Sequence, residues 1–150
     1  MQYWCLVTSK ENWSVCKENN VWGLDYRYYI TLKNFIKKGD KAIVYSHGGD
    51  FVAEIEIDSD FYFDLEHIGW TKKGRPFLFP YRVRIKIMKE GRLHISFSTQ
   101  EDNELARHNN PNPIDNIIFI ADKGKTWNIY LQVSILTIPK ADFKYISNNL

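Results

Sequence analysis

Cysteine is scarce: Cys5 and Cys16 are the only two in 150 residues. Two thiols exclude a disulfide scaffold and a four-cysteine zinc site, and both are expected to lie reduced in the core. Charge of one sign is lacking too. A net charge of +2 excludes a nonspecific DNA coater, which needs a large basic excess to neutralise phosphates. No apolar run approaches the ~20 residues that span a bilayer, and no signal-peptide pattern precedes the first strand. The chain is therefore expected to be soluble and cytoplasmic.

Catalytic signatures are missing as well. None of the four histidines (His47, His67, His94, His108) stands in a nucleophile motif, and there is no nucleophile elbow. Asp64-Leu65-Glu66-His67 reads as a solvated acidic turn, because no metal-ligand spacing recurs around it. Gly48-Gly49 lacks the lysine and helix of a phosphate-binding loop. Neither metal nor cofactor is implied, and the chain is expected not to be an enzyme.

Aromatic residues are what the chain has in quantity, at 15% of its length. Trp4 and Trp13 fit a central strand and the inner face of a helix, and Trp127 reads as structural. Trp22 falls outside any core period where a helix gives way to a loop, and Trp70 lies in the polar run Gly69 to Arg75. Both are expected to be exposed, and so to need a ligand that supplies the missing apolar surface. The tyrosines at 26, 28 and 29 either stack on nucleotides or cover a short helix.

The chain is long enough for one domain with a sizeable core. Residues 2–8 read as a central strand. Ser9 caps a helix over roughly 10–19, which buries Trp13 and Cys16. Thr31 caps a short helix with Leu32, Phe35 and Ile36 on one face, ended by Gly39. Lys41–Tyr45 and Phe51–Ile57 form a hairpin around 46–50, and residues 58–79 an irregular connection. Tyr81, Val83, Ile85 and Ile87 alternate with Arg82, Arg84 and Lys86, whose basic cluster reads as a solvated face, giving a strand that Gly91 turns back into Leu93–Phe97. Residues 99–113 read as a polar excursion. Ile117–Ile120 is a short apolar run, Tyr130–Ile138 a last strand, and Pro139 opens a terminal helix facing Phe143 and Ile146 inward. Hairpin-joined strands with a few helices favour a small α+β barrel.

Binding chemistry suits these residues better than catalysis. Two facing rings sandwich a nucleobase, each stack worth ~1–3 kcal/mol. An amide such as Asn12 offers donor and acceptor to a base edge. Lysine and arginine at the rim, in the cluster Lys72, Lys73 and Arg75, hold phosphates.

The order of segments resembles the EVE family of the PUA-like superfamily, relatives of the YTH domains. Tyr3-Trp4-Cys5-Leu6-Val7-Thr8 leads through Glu11-Asn12-Trp13 to Val21-Trp22-Gly23. Lys38-Gly39-Asp40-Lys41 precedes the hairpin strand Phe51-Val52-Ala53-Glu54-Ile55, with alanine where the family commonly has glycine. Phe79-Pro80-Tyr81-Arg82-Val83-Arg84-Ile85 is similar to a further family strand. Phe119-Ile120-Ala121-Asp122-Lys123 and Ile138-Pro139-Lys140-Ala141-Asp142-Phe143 resemble its closing strand and helix.

The resemblance implies a PUA-like pseudobarrel of about six mostly antiparallel strands, flanked by three or four short helices. It also implies a noncatalytic module that takes a single modified, methylated base, flipped from DNA or RNA, into an aromatic pocket. By position, Trp22 and Trp70 are its walls, Asn12 contacts the base edge, and Ser46 and the backbone of Gly23 line it. Two rivals remain. One is a small-molecule, nucleotide or RNA-modification accessory pocket; the other is a nucleobase-directed enzyme using Asp25 or His47.

Overall fold

The computed structural model describes residues 1–96 and 112–150. The proposed excursion over 99–113 therefore lies outside the described residues as far as 111. Asn112 accepts from the Ile114 amide and caps a 3-10 turn at Pro113–Asn116.

Six strands form one curved path in the order β2 (Val21–Leu24), β8 (Tyr81–His94), β4 (Asp50–Ile57), β3 (Lys41–Ser46), β1 (Tyr3–Thr8), β9 (Ile135–Thr137). Among the described residues, only the β1–β3 pair of this path is parallel. A short β5 (Tyr62–Phe63) also pairs with β8, and β6 (Thr71–Lys72) with β7 (Arg75–Pro76) makes a separate small hairpin. The path closes into the half-barrel that the resemblance implies. Three α-helices accompany it among the described residues: α1 (Lys10–Asn19), α2 (Tyr29–Asn34) and α3 (Lys140–Asn148).

Local sequence explains much of this. β1 is buried on both faces because it is central: Trp4 and Leu6 pack into one hydrophobic cluster, Cys5 and Val7 into the other. The Ser9 hydroxyl accepts from the Asn12 amide and starts α1 as expected, and Asn20 ends it in the left-handed region at φ 51°. β4 alternates buried Phe51, Ala53, Ile55 and Ile57 with half-buried neighbours. Buried Asp142 accepts from the amides of Ile118 and Phe119, pinning α3 to the chain before it.

Several expectations are corrected. β8 runs unbroken through Gly91, which is no turn. A Cβ there would stand 2.4 Å from the Leu150 carbonyl carbon, so the close approach of Leu150 demands the glycine. The last strand is only Ile135–Thr137, because Trp127–Leu131 coils into a 3-10 helix. Asp25, not Thr31, caps the turn leading into α2, and Phe35 is exposed while Leu32 and Ile36 are buried.

Candidate nucleic-acid interface

Trp22 and Trp70 are not exposed: they are 3% and 2% accessible. Trp22 lies in strand β2, whose pairing with β8 sets it opposite Val83. The local string Asn19-Asn20-Val21-Trp22-Gly23 looks like a loop, and a strand distant in sequence overrides it. Trp70 leads into the β6–β7 hairpin and is packed from three directions. The Arg82 guanidinium lies 5.0 Å from its ring centroid, Phe79 meets it edge-on at 5.7 Å, and Gly23 presses against it. A Cβ on Gly23 would be 2.6 Å from Cη2 and Cζ3 of Trp70. The indole N–H of Trp70 meets the Cys16 thiol, whose pKa burial pushes up to about 12.

Both tryptophans nevertheless line one cavity of about 360 Å³ between the end of β1, the start of α1, β2 and the β6–β7 hairpin. Asn12, Gly23, Lys72 and Lys73 line it as well. Ser46 does not stand in its wall; the adjoining His47 does. Arg75 belongs to a shallow groove beside the cavity, shared with Lys72, Lys73, Pro76 and Phe77. Thr8, Phe79 and Ser134 are wall residues that sequence patterns did not single out.

The hydrogen bonds sort these side chains into fixed and free. Asn12 donates to the Thr71 carbonyl at 2.7 Å and accepts the Thr71 amide at 2.9 Å. It clasps α1 to β6, leaving one N–H and one oxygen lone pair for other partners. Asp25 accepts the Arg27 amide and pairs with Lys72 at 3.3 Å, joining β2 to the hairpin rim. The Tyr28 hydroxyl accepts the Ser134 amide and holds the opposite wall.

Trp22 differs. Its indole N–H is buried and has no acceptor among the described residues, as is also true of the Ser46 hydroxyl. A buried unpaired donor costs ~1–3 kcal/mol.

Arg82 is the side chain the sequence pattern misplaced. Alternation along β8 put it on the solvent side with Arg84 and Lys86, yet it is 2% exposed. It donates to the carbonyls of Phe79, Leu78 and Glu66 and pairs with Asp64 at 3.5 Å. One guanidinium thereby ties the connection before β8 and supports Trp70.

Comparisons with known proteins agree with this architecture. The EVE domain profile matches residues 2–149. A UPF0310 protein of Pyrococcus horikoshii is 30% identical over 161 residues, spanning all of this chain and 99% of that protein. A second, from Pyrococcus abyssi, is 32% identical over the full length of both. Among solved structures, the YTH domain of Zygosaccharomyces rouxii MRB1 in complex with N6-methyladenosine RNA superposes with a TM-score of 0.64 at 13% identity, covering 99% of this chain and 85% of that one. Human THYN1 in complex with 5-methylcytosine-containing DNA gives a TM-score of 0.55 at 13% identity, with 99% and 97% covered. At such identity the two structures share the fold alone. With the profile spanning nearly every residue, the chain belongs to the EVE domain family.

Proposed function

We propose that this protein is a noncatalytic reader that receives a single modified nucleobase of DNA or RNA in the cavity beside Trp22. The observation that carries the reading is one cavity lined by Trp22, Trp70 and Asn12, with the Trp22 indole N–H buried and without an acceptor among the described residues. A carbonyl or ring nitrogen on a base edge supplies that acceptor, and the indole face supplies stacking surface. A volume of about 360 Å³ is near the lower end of the ~300–1,000 Å³ range of ligand sites, which suits one flat heterocycle.

The surroundings support nucleic acid as the source of that base. Lys72 and Lys73 stand in the cavity wall and Arg75 in the adjoining groove, so cations meet phosphates next to the base site. Structural relatives of the same fold were captured with methylated RNA and methylated DNA. Asn12 acts chiefly by holding the hairpin in place, and its remaining N–H and lone pair are left for the base edge. Trp70 forms a fixed wall rather than a ring that closes on the ligand.

Equilibrium titration with single-stranded oligonucleotides tests the reading, using N6-methyladenine, 5-methylcytosine or the unmodified base at the centre. One modified base is expected to bind more tightly than its parent. Trp22→Ala should cost ~1–3 kcal/mol of that binding without altering its salt dependence. Equal binding of modified and unmodified strands, or an unaffected Trp22→Ala protein, defeats it. Turnover of the base that is lost on changing Asp25 or His47, both in the cavity wall, would make the protein an enzyme instead.

A further inference from the structure

Five rings gather next to the cavity: Phe61 and Tyr81 pack half-buried against the core, Tyr29 is half-buried, and Tyr26 and Phe63 stand exposed outside them. Tyr81 stands at their centre. Tyr29 lies 5.2 Å from it, Phe63 5.4 Å, and Tyr26 and Phe61 each 6.1 Å. Tyr26 and Tyr29 lie parallel, with 4° between their planes. Tyr26 is 76% exposed and Phe63 54%. Exposed rings held in a fixed cluster present a rigid apolar face to water.

The cluster adjoins the cavity by two links. Tyr26 follows Asp25, a cavity residue that Lys72 holds from the hairpin rim. Tyr81 pairs across the ladder with Leu24, another cavity residue. Of the nearby tyrosines, Tyr28 is bound to Ser134, so it fixes the cavity wall and is not part of the face.

We infer that this face is a stacking platform for the unpaired bases flanking the one held in the cavity, so that the protein's substrate is a single strand. The inference rests on the cavity being a base site. Aromatic faces stack any base, which gives affinity without sequence preference. The charges around the platform fit the same occupant. Asp25 is neutralised by Lys72 and Asp64 by Arg82. The Lys33 ammonium lies 5.5 Å from the Tyr29 centroid, and Arg27 belongs to the turn that carries Tyr26. Asp60, next to Phe61, repels phosphate. The sugar-phosphate backbone therefore passes on the Arg27 and Lys33 side.

The test compares wild type, Tyr26→Ala and Tyr26→Ala/Phe63→Ala on four probes. These are the free methylated nucleoside, a single-stranded nonamer with the methylated base at its centre, the same nonamer with abasic flanks, and an unmodified single strand. Both positions are exposed, so the variants fold, which thermal melting checks. Tyr26→Ala should weaken the methylated nonamer about tenfold, and the double variant further. Binding of the nucleoside and of the abasic-flanked strand should not change. Pairing the flanks into a duplex should weaken wild-type binding and erase the difference between wild type and variants.

Equal affinity of wild type and Tyr26→Ala for the nonamer overturns the platform, as does an equal loss on abasic flanks, or no binding of any single strand. Failure of the base-site reading looks different. The nucleoside then fails to bind and Trp22→Ala is silent, while Tyr26→Ala still weakens the unmodified strand.

Discussion

Arg82 carries its guanidinium 5.0 Å from the centroid of the Trp70 ring, and both side chains are almost wholly buried. The same guanidinium donates to three carbonyls of the connection before β8. The wall of the cavity is thus set by a cation that never reaches solvent. Arg82→Met keeps the bulk but leaves those carbonyls without a donor, at ~1–3 kcal/mol for each that stays buried. A loss of about 3 kcal/mol in urea unfolding is expected, and a loss below about 0.5 kcal/mol contradicts the role given to Arg82.

Gly23 and Gly91 make a contrast in what a methyl group meets. At Gly23 the added Cβ strikes Trp70 and the Phe79 carbonyl oxygen, each at 2.6 Å. Neither yields easily, since Trp70 is packed from several directions. At Gly91 it strikes the Leu150 backbone, with the carbonyl carbon at 2.4 Å and no aromatic ring among its nearest atoms. Gly23→Ala should therefore destabilise by about 1–3 kcal/mol and change the emission of the displaced Trp70. Gly91→Ala should destabilise too, but leave the Trp70 emission unchanged, since no indole stands beside it. Thermal melts and fluorescence of the two variants decide, and an undisturbed Trp70 emission in Gly23→Ala refutes the packing account.

Asn12 tests whether its amide is a clasp. Asn12→Ala removes both bonds to Thr71, but Asn12→Asp keeps the acceptor and places a second oxygen where the amide N–H donated at 2.7 Å to the Thr71 carbonyl. The aspartate should be the worse of the two at pH 7. Its deficit should shrink on acidification, as protonation restores a donor. Hydrogen exchange of the Thr71 amide reads the clasp directly; unchanged protection in Asn12→Ala excludes it.

Asp50 gives a dependence on pH. Burial disfavours its charge, but hydrogen bonds from His94 at 2.8 Å and Arg92 at 3.1 Å outweigh this and hold the carboxyl below its ordinary range. A carboxyl with a depressed folded pKa stabilises above the unfolded value of ~3.9 and loses that contribution as pH falls through the folded value. The stability gap between wild type and Asp50→Asn should be full at pH 7 and close on acidification below about pH 4. A gap that persists to pH 2 in thermal melts contradicts the assignment.

The parts of the fold written in local chemistry were legible in the sequence. Ser9 announced α1, Gly48 and Gly49 the β3–β4 hairpin, and Pro139 the terminal helix. What long-range partners decide was not. Nothing beside Trp22 says that Val83 will pair opposite it, and nothing beside Gly91 says that Leu150 will lie against it. Arg82 fits an alternating pattern that predicts exposure, and only the three carbonyls around it explain its burial. For the site, the string from Asn12 to Gly23 and the run from Trp70 to Lys73 did converge on one cavity. Thr8, Phe79 and Ser134 joined them without any sequence signal, because each is an ordinary residue whose place the topology alone decides.

The account turns on one hydrogen: the indole N–H of Trp22. Two-dimensional proton–nitrogen NMR can follow it, with Trp22→Phe giving the assignment by loss of one cross-peak. Titration with a methylated nucleoside or oligonucleotide should move the Trp22 indole signal as it gains an acceptor. The Trp70 signal, already tied to Cys16, should move far less. A Trp22 signal that stays in place while the ligand saturates the protein would place the base elsewhere and contradict the cavity as its site.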